Sequence, residues 1–186
     1  MVSNDVLKAI TEWTSWATKP DVQMYDIALL KIWIKFERFI GELFVSYAVG
    51  IPSETGYSPK LKIQFQDEAQ FNVFMRDGNK KYVEYIDKIE KLSSHIFQDN
   101  PFDVMLLNGN IKTAFYQMRA IRNYVAHESV ESKKKMITQL GVNENNFREL
   151  NDYLKSIDKT TGNSNYTCYV RVIKAIVELL IKDPSV

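Results

Sequence analysis

Cysteine occurs once in this chain, at Cys168, so neither an intrachain disulfide nor a cysteine-built zinc site can form. Histidine occurs twice, at His95 and His127, and no sequence pattern supports a metal site built on the pair. Glycine and proline are scarce, 7 and 5 residues, and most of them sit where helices should stop. There is no repeat or low-complexity segment. No long uncharged apolar run exists either. The most hydrophobic segment, residues 27–51, is interrupted by Lys31, Lys35, Glu37, Arg38 and Glu42, which argues against a membrane span. Neither sign of charge dominates. With 24 basic and 23 acidic residues the formal net charge is +1, so no strong field attracts nucleic acid or membrane, and any phosphate contact must come from a local patch. The opening MVSNDVLKAITEWTSW lacks a basic region followed by an apolar run, so it does not read as a signal peptide. The expectation is a soluble, cytoplasmic protein without a membrane partner. Glycine-rich phosphate loops and nucleophile-elbow phrases are likewise missing.

What is present suits a helical protein. At 186 residues and 45% apolar composition the chain can bury a real core as one domain, 1–186. Its expected body is about 20–130, with a helical extension about 131–186. Helices are expected over 4–18, capped by Ser3 or Asn4, and from Pro20-Asp21 to about Val49. GIPSETGYSP reads as a loop, and the alternating LKIQFQ (61–66) as a short strand. Further helices are expected over 67–76, 80–96, 110–127, 132–139, 144–158 and 166–182, with a break at Asp77-Gly78-Asn79 and a stop before Pro184. The fold class is all-α, an antiparallel helical bundle with a C-terminal helical extension.

Two helices carry more information. On the long one, Lys31, Lys35, Arg38 and Glu42 recur at helical spacing as a narrow charged stripe. Glu37 lies off that stripe among apolar residues. A carboxylate there either reaches solvent at the bundle edge or meets an arginine from a facing helix, Arg119 or Arg122. On helix 110–127, Ile111, Ala114, Met118, Ile121 and Val125 form an apolar seam directed at the core. Tyr116, Arg119, Asn123 and His127 occupy the other side. Arg119, Asn123 and His127 align at i, i+4, i+8, while Arg122 is offset about 140° from His127 around the axis. The two cannot meet within a straight helix, but both can address one ligand over the helix end.

Such a set suits metal-free phosphodiester cleavage in which RNA supplies its own 2′-hydroxyl nucleophile. Histidine titrates near neutrality and can act as base or acid. Arginine's planar fork stabilises charge on phosphate oxygens. Asn123 can orient the imidazole or donate to phosphate. One histidine can hardly be acid and base together, whereas two copies across a two-fold axis supply a pair. A histidine in a last helical turn is also favoured simply because its charged form complements the helix dipole, and that reading applies to His95 as well.

Arg122-Asn123-Tyr124-Val125-Ala126-His127 resembles the Arg-x(4-6)-His motif of the HEPN superfamily, with a spacer of four and a polar residue directly after the arginine. The wider phrase HIFQDNPFDVMLLNGNIKTAFYQMRAIRNYVAHES, with WIKFERFIGELF on the long helix, is similar to RiboL-PSP-type prokaryotic HEPN proteins across much of residues 20–130. The resemblance implies a helical bundle that dimerises, with two motifs facing each other in one composite, metal-independent endoribonuclease site. Arg122 and His127 would be the catalytic pair and Asn123 the supporting polar residue. Arg119, Glu37 and Tyr124 remain candidate substrate-binding or supporting residues. No metal and no cofactor is expected. The partners implied are RNA, a second copy of the chain, and an antitoxin or defence-system protein, since many relatives are toxins or antiphage and stress effectors.

A different class stays open: a non-catalytic RNA- or nucleotide-binding module, or an antitoxin-like partner. A purely structural helical adaptor would need no polar stripe on helix 110–127. Lys133-Lys134-Lys135 is either a guide for RNA or a solvated face. Trp13, Trp16 and Trp33 sit at helical spacings and read as core.

Overall fold

The longest apolar-patterned segment becomes the axis of the fold. The computed structural model describes residues 3–19, 21–75 and 85–183. In it α2, Tyr25–Ala48, buries Leu29, Ile32, Trp33, Phe36, Ile40, Phe44 and Tyr47 on more than one face. A helix apolar over so much of its circumference must be surrounded rather than laid on a surface. Around it pack α1 (Ser3–Ala17), α3 (Glu68–Met75), α4 (Tyr85–Ile96), α6 (Gly109–His127), α8 (Leu150–Lys155) and α9 (Asn165–Leu180). The four-residue α5 (Asp103–Leu106) packs on α6 and α9, and α7 (Val130–Leu140) folds back along α6. The result is an all-α helical bundle. Among the described residues no helix is long and apolar enough to cross a membrane.

Aromatic side chains fill the core in edge-on contacts, the geometry their quadrupoles favour. Phe44 meets Phe71, Phe97 and Phe102 at centroid separations of 5.4, 5.9 and 5.4 Å. Trp33 meets Phe36 and Phe115 at 5.4 and 5.5 Å. Trp33 is therefore core, as its spacing indicates, while Trp13 and Trp16 are only half-buried against it. The helices after residue 130 join the same core through Met136, Ile137, Leu154, Tyr166, Ile173 and Val177. The Tyr47 hydroxyl donates to the Leu180 carbonyl at 2.7 Å and ties α2 to α9.

Several boundaries differ from the sequence expectation. Helix α2 starts at Tyr25, not at Asp21, because Val22 and Gln23 turn back onto the Lys19 carbonyl and Gln23 takes a left-handed φ of 46°. Its first N–H groups are capped from far away: Asn151 Oδ1 accepts from Tyr25 at 2.8 Å and Asp26 at 3.2 Å. LKIQFQ forms no strand. Only Leu61 bridges, to Phe97, at the end of α4. The region expected as one helix over 144–158 splits into a 3-10 turn at Glu144–Asn146 and the short α8. Asparagines there favour local side-chain bonds over helix, and the Asn143 carbonyl oxygen Oδ1 accepts from the Asn145 N–H. Helix α1 already includes Ser3 and Asn4, the residues expected to cap it. Pro20, the Asp77-Gly78-Asn79 break, residues 80–84 and Pro184 lie outside the described residues.

Candidate functional site

The site grows out of the C-terminal half of α6. Asn108 caps its start by accepting from the Ile111 N–H. Its end is set at His127 because Glu128 adopts a left-handed conformation, φ 48° and ψ 26°, and returns its N–H to the Tyr124 carbonyl at 2.7 Å. A non-glycine residue in that region is uncommon and carries strain. Ser129 then caps α7, in a capping box in which Ser129 and Ser132 each bind the other's backbone N–H at 3.1 Å. The chain therefore reverses tightly, and the first turns of α7 lie beside the last turns of α6.

Along α6 the buried residues are Phe115, Met118 and Ile121. Ile111, Ala114 and Val125 of the expected seam are half-buried, because Phe115 rather than its neighbours occupies the centre against Trp33 and Phe36. Away from that centre Arg119, Asn123 and Tyr124 are half-buried and His127 is exposed, and Arg122, which flanks the seam, is half-buried too.

Arg122, Asn123 and His127 all line one cavity of about 470 Å³ between α6, α2, α4 and the start of α7. The 140° offset between Arg122 and His127 on the helical wheel is thus bridged by the cavity's width, and these two share a space without a hydrogen bond between them. Arg122 Nη2 donates to Glu37 Oε2 at 3.4 Å, and Nη1 donates to Asn123 Oδ1 at 3.0 Å. Glu37 on α2 does meet an arginine from the facing helix, and that arginine is Arg122. Since Asn123 spends its carbonyl on Arg122, its NH₂ group is the part left to donate. The Glu37–Arg122 pair also borders a second cavity of about 730 Å³, so it stands where the two spaces meet. His127 makes no side-chain hydrogen bond among the described residues.

Arg119 is held differently. Its Nη1 donates to Glu90 Oε1 at 2.9 Å and its Nη2 pairs with Asp87, both on α4. The nearby Tyr116 phenol is pushed up by burial and then by the charge of Glu90. Arg119 lines the cavity, yet its fork is taken by two carboxylates. Tyr124 does not line it, and packs instead against the core. His95 is exposed at the end of α4 and is not part of the cavity.

Of the wall supplied by α7 and its cap, sequence reasoning singled out only Lys135, within the run Lys133-Lys134-Lys135. Ser129, Ser132, Glu131 and Lys135 of α7 face the motif, and Lys135 Nζ pairs with Glu131 Oε1 at 2.7 Å. That bond holds the Glu131 carboxyl below its ordinary range. The signal was the phrase HES at 127–129, a helix end followed at once by a cap. Asp87 carried no signal. The buried Trp33 indole N–H, on a residue that also lines the cavity, lacks a hydrogen-bond partner among the described residues. Each cation in the cavity stands opposite a carboxylate: Arg119 with Asp87, Arg122 with Glu37, Lys135 with Glu131. Among the described residues no group of three or more His, Cys, Asp or Glu is placed to hold a metal ion. No family model, no curated protein and no solved structure matches this chain.

Proposed function

We propose that the protein is a metal-independent endoribonuclease of the HEPN type, working as a homodimer whose two motif cavities form one composite site. The observation that carries this reading is the convergence of Arg122, Asn123 and His127 on a single cavity.

In the reaction the 2′-oxygen of RNA attacks the adjacent phosphorus. The bond from phosphorus to the 5′-oxygen breaks, leaving a 2′,3′-cyclic phosphate and a 5′-hydroxyl. One His127 imidazole takes the proton of the 2′-hydroxyl. The 5′-oxygen needs a proton as it leaves, and His127 of the second copy supplies it as imidazolium. Arg122 faces the phosphate oxygens, where its charge matters most as negative charge builds up. Glu37 and Asn123 each accept a hydrogen bond from the guanidinium, which makes them positioning residues. The resemblance suggests a toxin or an antiphage or stress effector as the biological role.

The test is direct. Purified protein in EDTA should cut single-stranded RNA and leave 2′,3′-cyclic ends. His127→Ala and Arg122→Ala should fold normally and lose cutting. Undiminished cutting by the double variant would overturn the assignment. Tight RNA binding with no turnover by the wild type would instead support a binding module.

A further inference from the structure

The three consecutive lysines at 133–135 look equivalent in sequence, but the fold separates them. Lys133 lies over the Phe147 ring, 6.0 Å from its centroid. Lys134 does not line the motif cavity, whereas Lys135 does. The buried neighbours Met136 and Ile137 fix the helix face on which Lys135 sits, and the capping box at Ser129 and Ser132 fixes where α7 begins. Lys135 therefore lines the same cavity as Arg122 and His127, from the α7 side.

Its present partner is Glu131, one turn away, with both side chains about three-quarters exposed at 74% and 77%. An exposed i, i+4 pair is weak, and competing anions screen it readily. Arg119, the other cation in the cavity outside the motif, is fastened by two carboxylates and is the harder one to release. A second phosphate entering the cavity would thus meet Lys135 before Arg119. The hydroxyls of Ser129 and Ser132 lie on the same wall.

We infer that Lys135 binds a phosphate next to the one being cut, so that the site selects an RNA chain over a single dinucleotide link. This rests on the ribonuclease reading of the cavity. Arg122 and His127 act on the scissile phosphate. Lys135 exchanges Glu131 for a flanking phosphate and supplies affinity without taking part in the bond changes.

Two probes separate these roles. One is a dinucleoside monophosphate, with a single phosphate. The other is a DNA oligonucleotide carrying one ribonucleotide, with many phosphates but one cleavable bond. Lys135→Ala should lower kcat/KM on the long probe roughly three- to tenfold, through KM, and leave the short probe unchanged. Lys133→Ala should change neither. Equal losses on both probes, or none on either, would overturn the inference. Binding of an all-deoxy oligonucleotide gives a readout that needs no cutting. Its log–log salt slope should fall by about 0.7 in Lys135→Ala, and an unchanged slope counts against Lys135. A wild type that binds through Lys135 but cuts neither probe would defeat the ribonuclease reading and leave Lys135 as a phosphate contact.

Discussion

Glu37 on α2 accepts a hydrogen bond from Arg122 on α6 at 3.4 Å, and the two side chains are only 28% and 31% exposed. The pair links α2, the helix with the most buried residues, to α6. It also separates two cavities. Glu37 and Asn123 each take one Nη group of Arg122 and so fix where its guanidinium sits at the edge of the motif cavity. Glu37→Ala should therefore lower kcat more than it raises KM, by roughly tenfold, since a mispointed arginine loses transition-state contacts first. Glu37→Gln, which can still accept the hydrogen bond, should recover part of that loss. Identical kinetics for wild type and both variants would show that Arg122 needs no such support.

Arg119 makes the contrasting case. Asp87 and Glu90 both point at it, and its side chain is 29% exposed. Removing the cation leaves two carboxylates together in a partly desolvated place. Arg119→Ala should cost about 1–3 kcal/mol of stability in urea unfolding, with little effect on the chemistry of the molecules that remain folded. Arg119→Lys should recover only part, because a point charge cannot bridge two carboxylates as a fork does. A midpoint that does not move would mean the two ion pairs contribute nothing.

These two arginines also show how far the sequence can be read. The alignment of Arg119 with Asn123 and His127, and the offset of Arg122 from that line, follow from helical spacing, and so does the anomaly of Glu37. The all-α class follows from the long apolar periodicity and the scarcity of glycine and proline. What spacing could not supply is which helix faces which. Asp87 and Glu90 lie some 30 residues upstream of Arg119, and only the packing of α4 against the bundle identifies them as its partners. The cap of α2 is more distant still, since Asn151 stands 126 residues from Tyr25. The missing strand at LKIQFQ has a similar cause. Alternation marks a segment as half-buried, but a strand also needs an extended partner, and the short stretch 96–98 after α4 supports only the single bridge Leu61–Phe97. Lys135 was visible as a charge, yet its place in the cavity depends on the tight reversal at Glu128 and Ser129.

That reversal carries its own prediction. Glu128 holds φ 48°, a conformation glycine adopts without penalty. It also places an acidic side chain at the negative end of the α6 dipole. Glu128→Gly should raise stability by about 0.5–1 kcal/mol through relief of both effects, set against the entropy of an added glycine. Glu128→Val should lower stability. Thermal unfolding of the three proteins at one pH decides the matter, and a lower Tm for the glycine variant would rule out strain at this position.

A chain of part-buried hydroxyls joins α6, α8 and α9. The Tyr153 hydroxyl meets the Tyr169 hydroxyl at 2.9 Å, and Tyr169 donates onward to Gln117 Oε1 at 3.0 Å. Burial pushes both phenols above their ordinary value of 10.0. A group whose folded pKa exceeds its unfolded one contributes stability that is complete below the unfolded value and drains away as pH rises through the folded one. Stability should thus be flat for these groups up to about pH 10 and fall steadily beyond it. Tyr169→Phe should cost about 1 kcal/mol at neutral pH by breaking the chain of hydroxyls. It should also flatten the decline above pH 10, because one buried phenol no longer has to ionise. Urea midpoints for wild type and variant across the alkaline range test both halves. Parallel declines would show that Tyr169 ionises as easily in the folded protein as in the unfolded chain.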